Sequence, residues 1–446
     1  MKKYIIYILL ITLILFSLSS CKITVEPDAI PAPTTTEAGF DYVSAASKLS
    51  AVSGLPVTAG YLENMGEDVT LRLVSAVDSG TYSEKTWLAE TGYSYYVTKD
   101  ILCGNYNAEN IKNCGNNGKD SFSVAFVGDI LFDKDFRPMA HANTKGGVLN
   151  CIDKSVVDYL NACDVFLINN EFTIGERGEP TPGKTWTFQV EPDKIQLLKD
   201  LGADIVSLAN NHIYDYGEVG FFDTIDNLKK AGMPYAGAGS DIDEAAKPYY
   251  FVVNGVKVGI VAASCAEKTT SFNPVATAET HGIMGTYDSA AFVDAIKKAD
   301  AECDILVAYV HWGTENTTVL DEQQKTLARE YIDAGVDAVI GGHTHCLQGM
   351  EFYKDVPIVY SVGNFWFNSK NLDSCVITLE VDRAGDMGIR IMPLKQQNCE
   401  TRLLAGEDAR ALFDRVESYE PQGVSIADNG MITPAQVQQT QANHIS

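Results

Sequence analysis

The chain has 446 residues, 46% of them hydrophobic, enough apolar material for one large domain and a smaller one. Its 34 basic and 59 acidic residues leave a formal charge of −25, which repels nucleic acid and anionic lipid and suits cationic partners, divalent metals among them. That balance excludes partners without selecting a fold.

Lys2 and Lys3 precede an almost wholly apolar run from Tyr4 to Leu18, and small residues follow. The pattern predicts a secretory signal over residues 1–20. Cys21, after Leu18-Ser19-Ser20, stands where a bacterial lipoprotein signal places its lipidated cysteine, which puts the chain on the outer face of the cell membrane. An uncleaved anchor is the alternative, though the run is short for a span of about 20 residues. Residues 21–39, rich in Pro and Thr, read as a tether.

Residues 40–120 read as a small α+β or β-rich accessory domain, with strands over Val69–Val77 and Tyr93–Val97 and an Asn/Gly-rich linker at 104–120. Cys103 and Cys114 flank that linker and form the most plausible local disulfide. Cys265, Cys303 and Cys375 sit in strand-like apolar runs and read as small buried hydrophobes.

From Ser121 the pattern changes. SVAFVGDI, DVFLINNEF, ADIVSLANNH, VKVGIVAAS, CDILVAYVHWG, VDAVIGGHTH and VPIVYSVGNFWF read as buried strands. Helix-like stretches lie between them at 152–161, 192–201, 217–231, 288–300 and 321–334, with Gly202, Gly232 and Gly335 at three of their ends. This alternation gives an α/β domain over 121–400. Residues 401–446 read as a C-terminal extension, partly flexible.

The strands are apolar until their carboxyl ends, where several place Asp, Glu, Asn or His. In open α/β sheets, that is where ligands gather. Of seven histidines, four (His212, His311, His343 and His345) lie at strand ends. Neutral imidazoles together with carboxylates bind zinc, manganese or iron, and one carboxylate can bridge two ions. The set fits one or two divalent metals that activate water and neutralise an oxyanion.

Six motifs occur in order: Gly128-Asp129; Asn169-Asn170-Glu171; Asn210-Asn211-His212; His311-Trp312-Gly313-Thr314-Glu315; Gly342-His343-Thr344-His345; and Ser361-Val362-Gly363-Asn364-Phe365-Trp366-Phe367. Together they resemble the bacterial capsule-synthesis CapA family, also called the poly-γ-glutamate synthesis family, over about residues 121–370. That family is similar to calcineurin-like metallophosphoesterases, so the resemblance implies a four-layer α/β sandwich. It implies Asp129 and His345 as ligands of a first metal, His311 and His343 of a second, and Glu171 as the bridge. Asn211 matches a metal-binding Asn, and His212 matches the histidine that protonates the leaving group or steadies the transition state.

Departures accompany the match. Phosphoesterases carry Asp-x-His at the first motif; here the third residue is Leu131, so one metal site lacks a nitrogen ligand. Thr344, Asn316 and Gln189 also differ from the residues common in the family. Lys184 with Trp186 either meets an anionic substrate or lies in a solvated loop. Trp312 lines a substrate cleft or packs in the core. Asp215 and Glu315 read equally as partners orienting a histidine and as cap or surface carboxylates. Asn364 reads as a turn buttress, and His141, His281 and His444 as solvated loop histidines.

The resemblance implies a metal-dependent hydrolase or transferase acting outside the cell on an anionic polymer or envelope material, beside other capsule-synthesis membrane proteins. A non-catalytic factor for polymer export or retention and a generic secreted phosphodiesterase are the alternatives.

Overall fold

Alternation within the strands sorts the side chains into layers. In the computed structural model, which describes residues 40–266, 272–382 and 385–435, two large sheets lie face to face. In strand Ser121–Ile130, Phe122, Val124 and Phe126 point between the sheets, whereas Ala125 and Val127 meet helices on the outer face. Strand Ile305–His311 does the same: Ile305, Val307 and Tyr309 face the other sheet, and Leu306, Ala308 and Val310 face outer helices. Strands buried on both faces carry continuous apolar runs. The result is helix, sheet, sheet, helix, the four-layer α/β sandwich expected from the sequence.

One sheet has seven strands, in the order Ile111–Gly115, Tyr249–Val253, Val256–Ser264, Ile305–His311, Ala338–Gly342, Val356–Val359 and Met350–Tyr353. The other has ten. Its main path runs Val424–Ile426, Met431–Pro434, Met387–Gln397, Leu372–Asp382, Ser121–Ile130, Val165–Asn170, Ile205–Ser207 and Tyr235–Ala236. Helices Lys154–Ala162 and Gly217–Ala231 cover the ten-stranded sheet; Ala290–Asp300 and Glu322–Asp333 cover the other. Gly202, Gly232 and Gly335 all adopt positive φ just past helix ends.

Several expectations need correction. The N-terminal unit is helical among the described residues, with helices Tyr42–Ser53, Ala59–Met65, Glu67–Ser79, Glu84–Thr91 and Tyr95–Cys103. The expected strand at Val69–Val77 lies in the third. There Val69, Thr70, Leu73, Val74 and Val77 recur at three- and four-residue spacing and face one helical cluster, so a helical stripe had mimicked alternation. The expected strand at Tyr93–Val97 is a helix start, where Ser94 Oγ accepts the Val97 N–H at 3.3 Å.

The linker at 104–120 contains an edge strand, Ile111–Gly115, parallel to Tyr249–Val253. Its residues are only half-buried, so no apolar run marked it. Cys103 and Cys114 do not form the expected disulfide, and none of the nine cysteines among the described residues is in one. Cys265, Cys303 and Cys375 are buried, as expected. VPIVYSVGNFWF is two strands: Val356–Val359 belongs to one sheet and Asn364–Trp366 pairs in the other, the chain crossing between them.

Residues 401–435 are part of the domain. Leu412, Phe413 and Val416 of helix Gly406–Ser418 join the core between the sheets, and Val424–Ile426 and Met431–Pro434 extend the larger sheet. Cys21, the signal, the tether and His444 lie outside the described residues. Among the described residues, no helix is long and apolar enough to cross a membrane.

Candidate metal centre

The carboxyl ends of strands from both sheets meet at one point. Asp129 is in register with Asn169, which is in register with Ser207, four residues before Asn211. In the facing sheet His311 is in register with Gly342, the residue before His343. Strand Asn364–Trp366 then threads in beside Asp129, with Asn364 opposite it. Gly128 permits this crossing, because a Cβ there would fall on the Gly363 carbonyl oxygen. His343 and His345 sit at φ 92° and 59°, a region uncommon for residues other than glycine. Between them, Thr344 Oγ1 reaches Ser361 Oγ and the Cys346 carbonyl, both at 2.8 Å, and pins the turn.

This turn brings two sets of donor atoms together. Glu171, His311 and His343 form one, and Asp129, Glu171 and His345 the other; within each set the atoms lie within 4.8 Å of one another. All are buried, and Glu171 belongs to both. His343 Nδ1 is 3.1 Å from His311 Nε2, which lies 2.7 Å from Asn211 Oδ1. His345 Nδ1 is 3.0 Å from Asp129 Oδ2. The structure therefore brings together every residue assigned to the centre from sequence.

Burial shapes the charges. It drives the Glu171 carboxyl well above its ordinary range, with Asp129 adding repulsion. It pushes His311 down to about 3 and His343 well down too, so both rings stay neutral with lone pairs available. For Asp129 and His345 burial is outweighed by their mutual hydrogen bond and attraction, which hold Asp129 low and His345 high. Asn169 Nδ2 donates to Asp129 Oδ1 at 2.8 Å, and Asn210 Nδ2 holds Asn169 Oδ1 at 3.1 Å. Sequence reasoning gave Asn169 and Asn210 no role, although their place in the NNE and NNH motifs was a usable signal.

His212 lies at the edge of this group, its Nε2 3.9 Å from Glu171 Oε1. Its Nδ1 contacts Asp215 Oδ2 at 2.6 Å. Asp215 is fully buried and also accepts the Phe188 N–H at 2.7 Å. The structure thus decides between the two readings of Asp215: it orients His212. Lys184 is tucked underneath, its side chain 7% exposed and its Nζ 2.9 Å from Asp215 Oδ1. Its ammonium also bonds the Asn211 carbonyl. It is neither a solvated loop residue nor an ammonium left open to an anion. Trp186 is exposed, its ring edge-on to Phe136 at 6.1 Å.

Trp312 is not in a cleft. It is wholly buried, stacked against Tyr331 and Tyr360, and its indole donates to the Tyr360 carbonyl at 2.8 Å. The strand-end position suggested a cleft, but the side chain turns into the outer helix layer. Glu315 is exposed and acts on the centre from a distance, its charge raising both Glu171 and His345. Leu131 is buried in the apolar cluster under the outer helices, so no nitrogen donor stands there.

Asn364 is no turn buttress: its Oδ1 is 2.8 Å from His345 Nδ1. His141 and His281 are half-buried, and each has a partner. His141 Nε2 lies 3.0 Å from Glu400 Oε1, and His281 stacks on Tyr214 with centroids 5.7 Å apart.

Residues 123–369 match the family model described as bacterial capsule synthesis protein PGA_cap. A PGA biosynthesis protein CapA from Bacillus subtilis is 28% identical over 286 residues, covering 62% of this chain and 72% of the relative. A probable polyglutamine synthesis accessory protein from Mycobacterium tuberculosis is 33% identical over 215 residues, covering 46% of this chain and 55% of the relative. Among solved structures, a phosphatase from Mycoplasma pneumoniae aligns at TM-score 0.40 and 14% identity, over 63% of this chain and 95% of that one. With more than half of its length matched by the family model, and all six motifs on strand ends at one centre, the chain belongs to the PGA_cap family of bacterial capsule synthesis proteins.

Proposed function

We propose that the chain is a metal-dependent hydrolase or transferase that cleaves a phosphoester or amide bond in a poly-γ-glutamate-type polymer or other envelope material. It would work at the outer face of the cell membrane, held there through Cys21. One observation carries the metal reading. Glu171 is wholly buried, both of its carboxylate oxygens lack a hydrogen-bond partner, and it stands where the two donor sets join. A buried carboxylate without a partner is strongly unfavourable. Divalent ions held by the two donor sets would relieve that carboxylate, and with the neutral rings of His311 and His343 the donors suit manganese, zinc or iron.

Asp129, Glu171, His345, His311, His343 and Asn211 would hold the ions. When bound, such ions acidify water and neutralise charge on an oxyanion. The remaining work belongs to side chains of this chain. Asp215 occupies His212 Nδ1 and fixes the ring, leaving Nε2 facing the Glu171 side of the centre. Nε2 is thereby placed to hand a proton to a leaving group or to bond the developing oxyanion. Phe188, its ring 4.2 Å from that of His212, covers one face of the imidazole. The His212–Asp215 pair favours catalysis over a purely binding role.

The test is turnover by the ion-loaded protein on a panel of phosphodiesters and γ-glutamyl oligomers. The expected result is cleavage of one class, lost with chelator and restored by the ion. Ion binding without turnover on any member would leave a carboxylate-capturing factor instead.

A further inference from the structure

The two donor sets are completed unequally by the residues assigned so far. Around the second, His311 Nε2 has Asn211 Oδ1 at 2.7 Å and His343 Nδ1 at 3.1 Å. Two ligands each about 2.1 Å from one ion, at right angles, stand about 3.0 Å apart. These separations are therefore those of neighbours in one coordination shell. With Glu171, the second centre has four protein donors, one of them an asparagine amide.

The first centre has three: Asp129, Glu171 and His345. Leu131, which stands where phosphoesterases carry a histidine, faces the apolar core. On the other side of Asp129, however, Asn364 lies in register with it on a parallel strand. Its Oδ1 is 2.8 Å from His345 Nδ1, while Asp129 Oδ2 is 3.0 Å from the same nitrogen. That spacing repeats the pattern at the second centre. One ring nitrogen facing two acceptor oxygens carries at most one proton to share between them, whereas a cation satisfies all three atoms. Asn364 is fully buried, and its Nδ2 has no hydrogen-bond partner. A structural amide would have both ends engaged.

We propose that Asn364 Oδ1 is the fourth protein donor to the first ion, making up for the nitrogen that Leu131 lacks. This rests on the metal reading above and deepens it. The first centre then offers three oxygens and one nitrogen, the second two oxygens and two nitrogens. The oxygen-rich first centre favours manganese, and the second tolerates zinc.

The test is ion counting on the full chain equilibrated with Mn2+ and dialysed, together with a Mn2+-soaked crystal of the wild type. The wild type is expected to retain two ions, Asn364→Leu one, and Asn364→Asp two, because the aspartate keeps an oxygen donor. In the crystal, the first ion is expected about 2.0–2.3 Å from Asn364 Oδ1. If Asn364→Leu does not fold, the ion-to-Oδ1 distance in the wild-type crystal still decides. Two ions retained by Asn364→Leu, or a first ion more than about 3 Å from Oδ1, overturns the assignment while the metal reading stands. A wild type that retains no ion overturns both.

Discussion

Glu171→Gln puts the largest electrostatic demand of the structure to the test. Without ions the Glu171 carboxyl is buried with neither oxygen bonded, beside Asp129. Its folded pKa is raised, so the native state holds that proton more tightly than the unfolded chain does. Stability is then lost as pH rises from the unfolded value of about 4.3 through the raised folded value. Glutamine has the same shape and no charge to bury. In chelator at pH 7.5, Glu171→Gln is expected to melt at or above the wild type.

Saturating Mn2+ should reverse the order. Each ion held at a hundred times its dissociation constant adds about 2.7 kcal/mol, so two ions add roughly 5 kcal/mol. At about 2 °C per kcal/mol for a chain of this size, the wild type rises by roughly 10 °C. Glu171→Gln, having lost the shared ligand of both sets, gains only a small part of that. Differential scanning calorimetry in chelator and in Mn2+ reads both effects. A variant that melts well below the wild type in chelator, and rises as far in Mn2+, refutes the reasoning.

Other outcomes follow from the same geometry. His343→Gln removes a ring that burial keeps neutral. Because its folded pKa is depressed, the wild type loses stability as pH falls below the unfolded value of about 6.5, and the variant is spared that loss; urea midpoints against pH, in chelator, show it. Lys184→Met takes the ammonium from the buried Asp215 carboxylate and is expected to destabilise by about 3 kcal/mol in urea unfolding. Trp312→Phe loses packing and one hydrogen bond in the core, so its melting temperature falls while KM stays unchanged. Gly128→Ala drives a Cβ into the Gly363 backbone, and soluble expression should collapse, in line with a loss of about 4 kcal/mol or more.

The centre was legible because its chemistry sits on strand ends. Asp129, Glu171 and His311 each follow a run buried on both faces, and such runs show in sequence. Asp215, three residues after His212, was legible as one of two readings; the roles of Lys184 and Asn364 were not, because they arise from contacts between segments. Lys184 meets Asp215 across a loop, and Asn364 meets His345 only after the chain has crossed from one sheet to the other. The N-terminal helices were misread for a local reason: a stripe at spacings of three and four also alternates over a few residues. The edge strand at Ile111–Gly115 is only partly buried and leaves little trace in side-chain pattern.

Turnover at matched ion content tests the central claim most directly. Wild type and His212→Ala, both carrying two ions, are compared on the substrate class that the wild type cleaves. Loss of the imidazole predicts a rate lower by roughly 10²–10⁴-fold in the variant with its ion content unchanged. Equal rates would contradict the assignment of His212 as the group that serves the reacting bond.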